Sequence, residues 1–208
     1  MPNALLIATT NPAKLAEYRL LLRGLAIEPV ALADVRIDDA PAESCETFAD
    51  NALIKARFYF ERCGLPTLAD DGGLEVDALG GAPGVRSHRW LGDDAADDRA
   101  LAAEVIRRMH EVPWDRRTAR LKAAAALVWR AGSELRERIV EAALEGLIAE
   151  RVYDRIQPGF PYRAVLLMRD SGKYLAELSE EAAAALSQRR ALVEQLYPEL
   201  AALAVASP

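Results

Sequence analysis

Two adjacent carboxylates close a short apolar run in Ala69-Asp70-Asp71-Gly72-Gly73-Leu74. A fold that buries such a pair must set positive charge against it, because an uncompensated ionised carboxylate is very costly away from water. A divalent metal is the first suspect, since hard cations take oxygen ligands. Leu65–Ala69 reads as a buried strand that delivers both acids to its C-terminal end, where ligands collect in open α/β sheets. Gly72 and Gly73 then read as a turn after the carboxylates. Taken alone, two aspartates at a turn are more readily local backbone caps.

The N-terminus adds a second constraint. Ala4-Leu5-Leu6-Ile7-Ala8-Thr9 is short and apolar and ends in hydroxyls, the pattern of a buried strand. Asn11 is a strong N-cap, Pro12 suits the first helical position, and Gly24 can end the helix. Leu15, Tyr18, Leu22 and Leu25 recur at helical spacing between them. Strand, polar loop and helix N-terminus in that order bring backbone N–H groups and the positive dipole end to Thr9, Thr10 and Asn11. Lys14 adds a full charge, so the segment reads as a phosphate cradle. A simple cap at Asn11 and a solvated Lys14 are the plainer readings.

Further along, Thr47 caps a helix running to about Arg62, with Asp50 three residues on and Gly64 and Pro66 closing it. Asn51 and Lys55, four apart, share one face. Leu74–Leu79 alternates apolar and acidic residues as an extended segment, and Gly80-Gly81-Ala82-Pro83-Gly84 is a turn cluster. Leu101, Val105, Ile106 and Met109 mark a helical stripe within Ala95–Glu111. Thr118–Arg130 and Glu134–Leu144 read as a hairpin around Ala131-Gly132-Ser133, although their alanines suit a helix nearly as well. A long final helix starts near Ser179. Asp93, Asp94, Asp97 and Asp98 read as a solvated helix start rather than a metal cluster.

Composition narrows the chemistry. A formal net charge of −6 argues against non-specific nucleic-acid binding, which needs a basic field. Two cysteines, Cys45 and Cys63, and two histidines, His88 and His110, exclude a disulfide framework and a histidine-rich metal centre. Any metal would be held by oxygens, which favours Mg²⁺, with Mn²⁺ as the alternative. No stretch supplies the ~18 apolar residues that span a bilayer. Met1-Pro2-Asn3-Ala4 lacks the basic region of a secretory signal, so no membrane association and a cytoplasmic setting are expected. With 208 residues and no long linker, one domain with two intimate lobes is expected.

Four blocks in order now resemble one family. Thr9-Thr10-Asn11-Pro12-Ala13-Lys14 is similar to a Thr-Gly-Asn-x-x-Lys pattern, with threonine in place of glycine. Phe48-Ala49-Asp50-Asn51-Ala52-Leu53-Ile54-Lys55-Ala56, Ala69-Asp70-Asp71-Gly72-Gly73-Leu74, and Leu79–Gly84 with Ser87 and Arg89 continue the match. The chain resembles the inosine triphosphate pyrophosphatase (Ham1-like) family, whose members hydrolyse noncanonical purine nucleoside triphosphates to monophosphate and pyrophosphate. The second half departs from it. A Gly-Phe-Gly-Tyr-Asp-Pro motif becomes Gly159-Phe160-Pro161-Tyr162-Arg163-Ala164, a lysine becomes Ala183, and Ser-His-Arg becomes Ser187-Gln188-Arg189. The phosphate and metal half is kept while the half that reads the base is rewritten.

The resemblance implies an α/β fold with an elongated mixed sheet flanked by helices, two lobes with a central cleft, and a homodimer. It implies Mg²⁺ held by Glu43 and Asp71, with Asp71 activating water, Asp70 orienting water or a neighbouring group, and Lys55 facing the triphosphate. Thr9, Thr10, Asn11, Lys14 and Gly72 would bind substrate phosphates. Phe160, Arg163, Gln188 and Arg189 would face the base, with a core Phe160 and a solvated Arg189 as the plainer readings. The activity expected is a Mg²⁺-dependent nucleoside triphosphate pyrophosphatase acting on a noncanonical or modified purine (d)NTP. A phosphohydrolase for another phosphorylated metabolite, and a nucleotide-binding protein without turnover, are the competing readings.

Overall fold

A computed structural model describes residues 3–92 and 97–205. The reading of the extreme N-terminus at Met1 and Pro2, and Asp93 and Asp94 of the acidic run, lie outside the described residues. Six strands form one mixed sheet in the order β2-β1-β3-β4-β5-β6. The strands are β1 (Ala4–Ile7), β2 (Glu28–Val30), β3 (Thr67–Val76), β4 (Thr118–Ala131), β5 (Glu134–Ile148) and β6 (Leu166–Leu167). The helices are α1 (Pro12–Leu21), α2 (Phe48–Cys63), α3 (Asp98–Arg108), α4 (Glu180–Leu186), α5 (Gln188–Gln195) and α6 (Tyr197–Val205). β1 runs parallel to β2 and β3, pairing Leu6 with Thr67 and Ile7 with Leu68, whereas β5 and β6 are antiparallel.

The chain divides into two compact units, each with its own apolar core. The first comprises Met1–Asp71, Ala123–Ala142 and Arg189–Pro208. Leu5, Ile7, Tyr18, Leu68, Leu127 and Leu196 are central to its core. The second comprises Gly72–Lys122 and Ala143–Gln188, packed around Leu74, Leu101, Val105, Ile148, Tyr162 and Leu166. There the buried Arg117 guanidinium donates to the carbonyl oxygens of Met109, Val112, Ile148 and Ala149 at 2.6–3.1 Å.

Local signals set the helix starts. Asn11 Oδ1 accepts from the N–H groups of Ala13 (2.9 Å) and Lys14 (3.3 Å), and Pro12 takes the first helical position. Thr47 caps α2, accepting from Asp50 N at 3.1 Å and donating to Asp50 Oδ2 at 2.7 Å. Gly64 closes that helix in the left-handed region, φ 68°. Thr47→Ala is expected to lower stability by about 1 kcal/mol, as loss of an N-cap typically does; a urea melt checks it. Asp97 likewise caps α3, so this part of the acidic run does start a helix.

Three sequence expectations need correction. The chain does not turn at Gly72-Gly73: β3 continues from Thr67 to Val76 with both aspartates in mid-strand, and Leu74–Val76 is its last part rather than a separate element. Gly73 serves a close approach instead. A Cβ there would overlap Ser87 Oγ, which accepts from Leu74 N at 2.9 Å, and would come within 2.6 Å of the Gly84 carbonyl oxygen. Gly73→Ala should therefore cost about 1–3 kcal/mol through overpacking, read as a lowered thermal midpoint.

The long final helix is three helices. Ser187 is extended (φ −67°, ψ 153°) and its hydroxyl donates to the Ala184 carbonyl oxygen at 3.0 Å, so the chain breaks before Gln188. The helical alternative for Thr118–Arg130 also falls. Ala123–Ala126 are fully buried in β4, where small side chains suit a strand covered on both faces.

Candidate active site

On α1, residues Lys14, Glu17 and Tyr18 are buried, at the i, i+3, i+4 spacing of one helical face. On α2 the buried stripe Phe48, Asn51, Ala52, Lys55, Ala56, Tyr59, Phe60 includes an amide and an ammonium. Polar groups are kept on buried stripes only where they find partners, and β3 supplies those partners. Successive strand side chains point to opposite faces, so Asp70 and Asp71 serve different sets of neighbours.

Asp70 is 2% exposed. Its Oδ1 lies 3.2 Å from the Lys14 ammonium, and its Oδ2 accepts from Arg189 Nε at 2.8 Å. Arg189, near the start of α5, also reaches Glu17 Oε2 at 3.4 Å. Burial pushes the Asp70 carboxyl up, but Arg189, Lys14 and Lys55 outweigh it and hold the acid well below the usual carboxylate range. The same burial lowers the Lys14 ammonium against the pull of Asp70. Burial also works against the Arg189 charge, yet Asp70 and Glu17 leave that guanidinium more firmly protonated than usual. Tyr18 sits in the same cluster, and burial raises its phenol well above its ordinary value.

Asp71 faces α2. Asn51 Nδ2 donates to its Oδ2 at 3.0 Å, and the Lys55 ammonium is 3.7 Å from its Oδ1. The same ammonium is 3.1 Å from Glu43 Oε2 and donates to the Asp70 carbonyl oxygen at 2.7 Å. Glu43 and Asp71, far apart in sequence, are thus gathered by one positive charge. These oxygens are the donors that could hold a hard divalent cation. Among the described residues no group of three or more His, Cys, Asp or Glu side chains is placed to hold a metal, so protein carboxylates alone would not complete a coordination shell.

The loop between β1 and α1 completes the first unit's site. Thr9 Oγ1 accepts from Asn11 N at 3.2 Å, and Thr10 is exposed. Thr9, Thr10 and Asn11 line a cavity of ≈ 370 Å³ together with Asp38, Asp39 and Tyr59. The N–H groups of Asn11, Ala13 and Lys14 are already taken by side chains of the loop itself, which differs from the free N–H groups expected from sequence. What the loop can offer an anion is therefore mainly side-chain donors.

The first unit therefore brings together Thr9, Thr10, Asn11, Lys14, Glu43, Lys55, Asp70, Asp71 and Arg189. Gly72, Phe160, Arg163 and Gln188 belong to the second unit. There Arg163 is buried, its guanidinium 3.9 Å from the Phe160 ring centroid and its Nη1 donating to Gln157 Oε1 at 3.0 Å. Gly72 and Gln188 are buried as well, and Ala183 is part of the second unit's apolar core. Lys14 and Arg189 are not the solvated side chains of the plainer readings, and Lys55 is buried as well. Sequence reasoning gave no role to Glu17 or Asn51, though their i, i+3 and i, i+4 spacing to Lys14 and Lys55 was a usable signal.

Comparison with known proteins gives this geometry a context. A dITP/XTP pyrophosphatase of Symbiobacterium thermophilum is 42% identical over 202 residues, covering 96% of this chain and 95% of its own length. One from Geobacillus kaustophilus is 39% identical over 194 residues, covering 92% of this chain and 91% of its own. The solved structure of a HAM1 protein from Coxiella burnetii superposes with a TM-score of 0.81 at 32% identity, covering 95% of this chain and 98% of that one. A profile of the Ham1 family matches residues 5–199, and with relatives this similar over nearly their whole length, the chain belongs to that family.

Proposed function

We propose that this protein is a nucleoside triphosphate pyrophosphatase that cleaves a noncanonical or modified purine (d)NTP to (d)NMP and pyrophosphate. The observation that carries the reading is the convergence of Glu43, Asp71 and the Asp70 carbonyl oxygen on one positive charge beside the Lys14 cluster. The activity for which these relatives are named, dITP/XTP pyrophosphatase, agrees with it. The donor set fits Mg²⁺, or Mn²⁺ in its place, because Mg²⁺ commonly takes one or two carboxylates and fills its shell with water and substrate phosphates. Glu43 and Asp71 would hold it, and when bound it supplies Lewis-acid stabilisation of charge on the phosphate chain.

The chain's own residues divide the remaining work. Asp71 accepts a proton from the attacking water. The Thr9 and Thr10 hydroxyls, the Asn11 amide and the Lys14 ammonium hold phosphate oxygens at the N-terminus of α1, where the helix dipole favours anions. Lys55 offsets charge on the departing pyrophosphate. Asp70 orients Lys14, while Glu17 and Asp70 hold Arg189 in place. For the base, the family resemblance carries over Phe160, Arg163 and Gln188, with Gly72 beside the reactive acid. Arg163 replaces an acidic residue of the family pattern, which reverses the charge offered at that position and makes base preference the property most open to change.

Incubation with a panel of nucleoside triphosphates and Mg²⁺, assaying pyrophosphate and orthophosphate separately, tests the reading. Equimolar pyrophosphate and monophosphate from at least one purine triphosphate is the expected result. Release of orthophosphate alone would favour a phosphohydrolase of another kind, and tight binding with no product would favour a binder.

A further inference from the structure

Asn51 is 1% exposed and makes bonds in two directions. Its Nδ2 donates to Asp71 Oδ2 at 3.0 Å. On its other side, Oδ1 accepts from Cys45 N at 3.1 Å and Nδ2 lies 3.4 Å from the Cys45 carbonyl oxygen. The side-chain amide thus holds both the N–H and the carbonyl oxygen of Cys45, two residues beyond Glu43. That loop, between Val35 and Phe48, contains no helix or strand, so side-chain anchors matter to where Glu43 stands.

We propose that Asn51 is a positioning residue that ties the Glu43 loop to Asp71 and so sets the spacing of the two carboxylates that take the divalent cation. This rests on the metal reading given above. Two consequences follow from the geometry. By occupying Asp71 Oδ2, Asn51 leaves Oδ1 on the side of the Lys55 ammonium, which Glu43 also meets, and so fixes the oxygen presented to the ion. By holding both polar groups of Cys45, it limits how far the loop can carry Glu43 away. Neighbours of this kind orient metal ligands, and their loss typically weakens metal affinity by about 10–100-fold.

Mn²⁺ binding in the absence of nucleotide, read from the free-ion signal in electron paramagnetic resonance, tests this on the intact protein. Wild type, Asn51→Ala, Asp71→Asn and Thr47→Ala are compared. Thr47→Ala weakens the start of the same helix without touching Asp71, so it reports what simple loosening does. Asn51→Ala should raise the Mn²⁺ dissociation constant by about 10–100-fold, while Thr47→Ala stays near wild type. The metal concentration for half-maximal activity should rise in step, with kcat recovered at saturating metal. Wild-type affinity in Asn51→Ala, or equal weakening in Asn51→Ala and Thr47→Ala, would overturn the proposal and leave the metal reading standing. Wild-type affinity in Asp71→Asn would instead remove the metal reading, and the positioning role with it. If Asn51→Ala does not fold by circular dichroism, Asn51→Ser, measured identically, decides.

Discussion

Asp71→Asn is expected to lower turnover by about 10²–10⁴-fold, the usual worth of a positioned acid or base, while the thermal midpoint moves little. The replacement keeps the shape of the side chain, and the Asn51 amide can still donate to its remaining oxygen. Lys55 loses one neighbour but keeps Glu43 and the Asp70 carbonyl oxygen, so no charge is stranded. What disappears is the proposed proton acceptor, which is also one of the two carboxylates proposed to hold the cation. A pyrophosphate-release assay beside a thermal melt separates the two effects. An equally active variant would take Asp71 out of the reaction.

The neighbouring cluster should respond in the opposite sense. Arg189→Met is expected to destabilise the fold by about 3–5 kcal/mol, the range seen when one partner of a buried ion pair is removed. Asp70 would remain buried with Lys14 still beside it, and the buried Glu17 would lose Arg189. At about 2–4 °C per kcal/mol for a chain of this length, the midpoint should fall by about 10 °C. Adding Asp70→Asn to Arg189→Met should recover part of the loss, because coupled buried charges are not additive.

The pH dependence follows from the same cluster. In the native protein the Asp70 carboxyl is held below its ordinary range, so its contribution to stability is present above the unfolded value of about 3.9 and is lost as pH falls through the folded value. Without Arg189 the burial contribution is opposed by less positive charge, the folded pKa rises, and acid unfolding should begin at higher pH. An acid titration followed by circular dichroism, on wild type and Arg189→Met, reads that shift. A variant that unfolds at the wild-type pH would mean Arg189 does little to hold the Asp70 charge.

Much of the frame was legible in the sequence because the signals are local. Asn11 with Pro12, and Thr47 with Asp50 and Gly64, act within a single helical turn, and both helices start where those residues stand. The strand leading into the first loop was legible for the same reason. Misreadings arose where a residue serves a distant neighbour. Gly73 spares room for Ser87, fourteen positions on, and a glycine pair says nothing of that by itself. The break at Ser187 is hidden in an alanine-rich stretch whose intrinsic preference is helical.

Charge pairing was hidden for a related reason. Lys14 meets Asp70 and Arg189 meets Glu17 across long sequence separations. Helical spacing places Lys14 and Glu17 on one face, but says nothing of which distant charges meet them. The motif blocks singled out acids and lysines that the first unit gathers, but not that one aspartate would be locked to cations from α1 and α5 while its neighbour faced α2.

That alternation along β3 has a practical corollary for mutational scanning. Libraries scored separately for abundance and for catalysis should sort adjacent codons into different classes, position 70 scoring as scaffold and position 71 as chemistry. A protein arranged this way can accumulate changes on its reactive side without eroding the foundation one peptide bond away.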